Sequence, residues 1–154
     1  MATMKRTSFE DMDCTIARTL EVVGEWWSLL IVKLALFGIT RFGEFQSELG
    51  IARNVLAQRL QHLVETGILV RKPDSQGTKY LEYRLTEKGR ELVVPLIALM
   101  QWGDKWETPR GGPPIEVTSK KGTAIGPLEI RDYRGKKLDP ADLAFRRLRE
   151  PRSR

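Results

Sequence analysis

Residues 53–65, RNVLAQRLQHLVE, constrain the fold more than any other stretch of the chain. Taken as a helix at 100° per residue, Leu56, Leu60 and Leu63 share one stripe, which must face a core. Asn54, Gln58, Gln61 and Glu65 lie opposite, with Ala57 and His62 at the margins and Arg53 and Arg59 flanking the stripe. A solvated helix face more often carries Glu and Lys in i,i+4 pairs. Amides offer a donor and an acceptor together, which suits the adenine edge in the major groove, and small Ala57 permits close approach. For this helix alone, a bland amide-rich surface stands beside that reading.

The neighbouring segments favour the groove. TRFGEFQSEL places Phe42, Phe45 and Leu49 at helical spacing after Thr40, which is expected to cap it. A break at Gly50-Ile51 then joins two helices in the manner of a helix-turn-helix. Gly67 ends the second helix, and ILVRK, PDSQGTK and YLEYRL follow as strand, turn and strand. In the last of these, Leu81, Tyr83 and Leu85 alternate with Glu82 and Arg84. The hairpin is flanked by Arg71, Lys72 and Lys79, so it could lie along phosphates while the helix enters the groove. A small hairpin that only covers the core is the competing account.

Upstream, Ile16, Leu20 and Val23 mark a short amphipathic helix over 14–23 that stops near Gly24. WSLLIVKLALF is apolar on nearly every side, as a central helix packed against several neighbours would be, and Gly38 ends it. Downstream, Thr86 is expected to cap a helix running to about Trp106, kinked by Pro95. Leu92, Leu96, Leu99, Gly103 and Trp106 follow helical spacing, while Val93, Ile97 and Met100 widen the apolar face beyond what one small wing needs. With the first helix, that width points to a surface that pairs with a second copy.

Composition excludes several classes. With 41% hydrophobic and 30% charged residues in 154, the chain can bury a core of ordinary domain size. No apolar run approaches the ~20 residues that span a bilayer, and the start has no signal-peptide core, so a cytoplasmic protein without membrane contact is expected. One cysteine and one histidine argue against a disulfide or a dedicated zinc site. No Ser/His/acid set, P-loop or dinucleotide glycine motif is present, so neither an enzyme nor a cofactor is expected. The net charge is +6, concentrated in residues 41–90 and in residues 107–154, which carry 12 Lys/Arg against 7 Asp/Glu. A basic balance favours polyanions, although it also serves solubility.

The matching blocks are the early Cys14, GEWWSLLIV (24–32), RFGEFQ (41–46), VLAQRL (55–60), ETGIL (65–69), EYRLTEKG (82–89) and QWGDKW (101–106). From Cys14 through Trp106 the chain resembles the HxlR-type winged helix-turn-helix regulators, a bacterial branch related to the MarR regulators. Several blocks in family order are far more specific than any one motif. The sequence departs from the pattern at Trp26, where the family carries a basic residue beside its tryptophan, here Trp27. The resemblance implies an α+β, mainly helical fold: a winged helix-turn-helix with a two-stranded wing, dimerising through the first and last core helices. Ile16, Leu20, Leu96, Leu99, Trp102 and Trp106 would line that interface. In several relatives a cysteine at the position of Cys14 senses oxidants or electrophiles. Here the nearby charges are mixed, since Arg18 one turn on attracts an anion and Asp11 and Asp13 repel one.

Residues 1–106 are therefore expected to form the DNA-binding and dimerisation domain, and residues 107–154 a linker and basic C-terminal extension. In that extension TPRGGPP reads as linker, 115–138 as one or two small hairpins, and PADLAFRRLRE as a final helix capped by Asp139-Pro140. Some longer relatives carry cysteines in such a tail that could bind metal; this tail has none. The leading function is a regulator, a repressor in the simplest reading, that binds double-stranded DNA as a homodimer on a roughly two-fold operator. Asn54, Ala57, Gln58 and Gln61 would read bases, and Arg53, Arg59, Arg71, Lys72 and Lys79 would contact backbone. Arg59 equally suits packing or an ion pair, and the small-molecule effector is unspecified. The alternative is a winged-helix protein-interaction module without specific DNA binding.

Overall fold

The computed structural model describes residues 14–74, 77, 79–107, 110–146 and 148. The chain divides into two compact units, Met1–Val93 and Val94–Arg154. The first begins with α1 (Thr15–Val23), α2 (Trp26–Leu36), α3 (Phe42–Leu49) and α4 (Arg53–Glu65). An antiparallel hairpin follows, β1 (Leu69–Pro73) with β2 (Leu81–Leu85), registered from Leu69 opposite Leu85 to Pro73 opposite Leu81. A short helix α5 (Glu87–Glu91) closes the unit.

The core is built from the stripes that the sequence marks. Ile31 and Val32 of α2, Phe45 of α3, and Leu56, Leu60 and Leu63 of α4 are fully buried, and Ile68 and Leu69 at the start of the hairpin are buried as well. Burying a side chain of this size contributes roughly 1.5–3 kcal/mol, so this cluster fixes the angle between α3 and α4. Central helix α2 packs against α1, α3, α4 and β2. Its apolar character is not consumed there, because Trp26, Leu30 and Phe37 remain exposed.

Several local expectations are corrected. The cap of α3 is Arg41 and not Thr40; the Arg41 amide donates to Glu44 Oε2 at 3.1 Å. Thr40 is engaged elsewhere, its carbonyl accepting from the Tyr83 amide at 2.8 Å, so the residues before α3 pair with the free edge of β2. In β2 the side chains alternate, but the buried one is Glu82, while Leu81 is exposed. The expected single helix from Thr86 is interrupted at Leu92, giving α5 and then α6 (Val93–Trp106). Pro95 accounts for the break, since proline has no backbone N–H and in a continuous helix its ring would clash with the carbonyl four residues back. Thr86 does cap α5, accepting from the Gly89 amide at 3.1 Å.

Positive backbone angles matter at two points. Gly50 (φ 61°) turns the chain between α3 and α4, and Gly67 (φ 73°) releases it from α4 into β1. Gly89 serves a different purpose: a Cβ there would collide with the Ile68 carbonyl.

The second unit holds most of α6 and the extension. Gln101 of α6 clasps the extension with both ends of its amide, donating to the Gly126 carbonyl (3.1 Å) and accepting from the Leu128 amide (2.8 Å). The unit boundary therefore falls near residue 93, ahead of the compositional change at 107. Two small hairpins form as expected, one around a Thr118–Ala124 bridge and one pairing β3 (Ile130–Arg131) with β4 (Lys137–Leu138). The expected final helix reduces to one 3₁₀ turn, Pro140–Asp142, capped by Asp139; Leu143 is already extended. Arg147 and Arg149, assigned to that helix by the sequence, lie outside the described residues, as do Asp11 and Asp13.

Candidate nucleic-acid interface

Helix α4 spans the thirteen residues expected of it, and its two sides differ completely. The Leu56, Leu60 and Leu63 side chains have no exposed surface. Asn54, Ala57, Gln58 and Gln61 are all exposed and lie together on the other side. The core stripe thus fixes which way the amide face points. Gln61 donates to Glu65 Oε1 one turn on at 2.7 Å, which orients its amide along the helix. Arg53, at the start of α4, is exposed with its guanidinium 5.0 Å from the centre of the Phe42 ring, a cation–π contact that steadies it.

Two residues expected near this face are occupied elsewhere. Arg59 approaches the Glu25 carboxylate at 3.4 Å and is only about a quarter exposed, with its Nε buried and unpartnered. That contact ties α4 to the residue that precedes α2. His62, expected on the rim of the reading helix, instead faces α1: its Nε2 lies 3.0 Å from the Val22 carbonyl oxygen. Since a carbonyl only accepts, that contact places the proton on Nε2.

The hairpin supplies the positive charge. Arg71 and Lys72 at the outer end of β1 and Lys79 in the turn are exposed. The hairpin also carries two buried acids. Asp74 is buried, its carboxylate 2.7 Å from Arg41 Nη2, and its amide donates to the Tyr80 carbonyl at 3.0 Å. Glu82, also buried, accepts from Nε and Nη2 of Arg84 at 2.9 and 2.6 Å. The hairpin root is held from the other side by Lys88, whose ammonium donates to the Thr66 carbonyl at 2.7 Å, and by Arg90, which donates to the Leu85 carbonyl at 2.8 Å. Arg41 sits in a sequence block that carries the family resemblance, but its partner Asp74 reads only as turn chemistry, so the pair escapes sequence inspection.

Cys14 is exposed and stands at the cap position of α1. Ile16 and Leu20 of α1 are exposed, as are Leu99, Trp102 and Trp106 of α6, with Leu96 half-buried. Among the described residues no group of three or more His, Cys, Asp or Glu could hold a metal ion, and no helix is long and apolar enough to cross a membrane.

Residues 22–110 match the family model of the HxlR-like helix-turn-helix. The chain is 48% identical over 103 residues to the uncharacterized HTH-type transcriptional regulator Rv3095 of Mycobacterium tuberculosis, a match covering 67% of this chain and 65% of that one. It thus spans slightly less than two thirds of that relative. Among solved structures, the candidate transcription factor PA1607 superposes with a TM-score of 0.83 at 41% identity, over 92% of this chain and 99% of that one. That span takes in most of the extension. The redox regulator HypR in its oxidized form superposes with a TM-score of 0.55 at 31% identity, over 60% of this chain and 96% of that one.

Proposed function

This chain belongs to the HxlR-like helix-turn-helix family of transcriptional regulators, and from that premise we propose that it binds DNA sequence-specifically as a homodimer on a two-fold operator, acting as a repressor. One observation carries the reading: an exposed amide face, Asn54, Ala57, Gln58 and Gln61, backed by a fully buried leucine stripe and flanked by a basic hairpin. The amides read base edges; Arg53, Arg71, Lys72 and Lys79 hold phosphates. Residues 1–106 form the binding and pairing domain, with the exposed apolar residues of α1 and α6 covered by the second copy. Large uncovered apolar side chains such as Ile16 (69% exposed) and Trp106 (63%) support that pairing. The test is fluorescence anisotropy with the duplex upstream of the protein's own gene against a scrambled duplex. Tight binding to the first, at least about a hundredfold tighter than to the second, is expected. Equal, weak binding to both would favour a protein-interaction module.

A second reading concerns Cys14. Its thiol is exposed, and HypR is described as a redox regulator, so oxidation or electrophile attack at Cys14 would release the DNA. The same titration after oxidation tests it. Weaker binding that disappears in Cys14→Ser is expected; indifference to oxidation would remove Cys14 from the mechanism.

A further inference from the structure

The basic hairpin contacts the rest of the first unit at more than its root. The Tyr83 amide donates to the Thr40 carbonyl at 2.8 Å, and Arg41 reaches across to Asp74 at 2.7 Å. These two contacts come from adjacent residues, and Arg41 is also the residue whose amide caps α3 through Glu44. The first helix of the helix-turn-helix and the hairpin therefore share one anchoring point.

Asp74 opens the turn that carries Lys79. Its side chain has no exposed surface, whereas the Arg41 side chain is 42% exposed. A carboxylate is costly to bury unless cations and donors compensate it, and removing a partner is felt strongly. Asp74 also holds the turn by its backbone, donating to the Tyr80 carbonyl at 3.0 Å and accepting from the Gly77 amide at 3.1 Å. The same residue thus joins the side-chain contact with Arg41 to backbone contacts with Tyr80 and Gly77.

We propose that Arg41 and Asp74 form a brace that fixes the angle of the hairpin to the helix-turn-helix, making both of them positioning residues for DNA binding. The proposal rests on the DNA-binding reading. In it Arg41 touches no phosphate; it holds Lys79, Arg71 and Lys72 where they meet the backbone of a duplex whose groove is occupied by α4. Without the brace the hairpin must be ordered at the moment of binding, and affinity falls by that cost.

The test uses the full chain and three variants, Arg41→Gln, Asp74→Asn and the double variant, none of which alters the backbone cap of α3. Amide hydrogen exchange is read in the free protein, and affinity and its salt dependence are read on the operator duplex. Each single variant should quicken exchange at Asp74 and Gly77 about tenfold while leaving α4 unchanged. Each should weaken DNA binding about tenfold at an unaltered salt slope, and the double variant should be no worse than the poorer single. A salt slope reduced by about one in Arg41→Gln, with Asp74→Asn binding normally, would make Arg41 a phosphate contact and overturn the brace. Unchanged exchange in both singles, or additive losses in the double, would overturn it too. A wild-type chain that prefers no duplex would defeat the DNA-binding reading instead. The exchange data would then still decide whether the two residues hold the hairpin.

Discussion

The two compact units differ in what keeps them in shape. In the first, helices from three parts of the sequence meet at Ile31, Val32, Phe45, Leu56, Leu60 and Leu63, all without exposed surface. In the second, no described residue from Val94 to Leu148 is buried. Its described contacts are hydrogen bonds, some local, with Asp132 Oδ1 accepting from the Arg134 and Lys136 amides and Ser119 Oγ from the Lys121 and Thr123 amides, and one longer-range, the Gln101 clasp. A core transmits the effect of one side chain to distant elements, whereas a set of turns does not. A reading helix needs the first kind of support, because its exposed face is aimed only by its buried one.

The largest expected effect lies in the first unit. Leu60→Ala should cost about 3 kcal/mol by opening a cavity beneath the reading face, seen as a lowered midpoint in urea unfolding. Tyr133→Ala, at an exposed turn of the extension, should stay within about 0.5 kcal/mol of wild type in the same titration. A comparable loss in both would abolish the contrast. Gly89→Ala comes next, at about 1–3 kcal/mol, since the added methyl presses α5 off the Ile68 carbonyl that starts the hairpin. Gln101→Ala should leave global unfolding nearly unchanged yet quicken exchange of the Leu128 amide. The smallest effect is acid-dependent. A hydrogen bond and charge attraction from Lys137 hold the Glu129 carboxyl below the usual carboxylate range, against an opposing desolvation and with smaller help from Arg131. A depressed value means that its contribution is present above the ordinary glutamate range and fades as pH falls through the lowered one. The β3–β4 amides should therefore loosen only in acid, a change that amide chemical shifts would follow.

The same division explains how much could be read from the sequence. The stripes of α3 and α4 are legible because burial imposes a period on the residues that face a core, whereas for α1 and β2 only the place of the element is legible: Ile16 and Leu20 stay exposed, and Glu82 is the buried residue of β2. The groups already engaged are not legible. Arg59 and His62 lie on α4 at angles that suit the groove as well as the core margin, and their contacts with Glu25 and the Val22 carbonyl join residues 34 and 40 positions apart. Asp74 reads as a turn residue until Arg41, 33 positions earlier, is seen against it. In PADLAFRRLRE Asp139 does cap, but helical spacing without a core to meet yields one turn among the described residues. Pro95 reads as a kink, although a residue without a backbone N–H goes with an outright interruption of the helix at Leu92.

The central claim is that the amide face of α4 reads bases while the hairpin holds backbone. Its most direct test is to titrate Gln58→Ala and Lys79→Ala with operator and scrambled duplexes across a salt series. The claim predicts that Gln58→Ala narrows the preference for the operator by about 1–3 kcal/mol at an unchanged salt slope. Lys79→Ala should weaken both duplexes alike and lower the slope by about one. An undiminished preference in Gln58→Ala, with the slope change falling there instead, would contradict it.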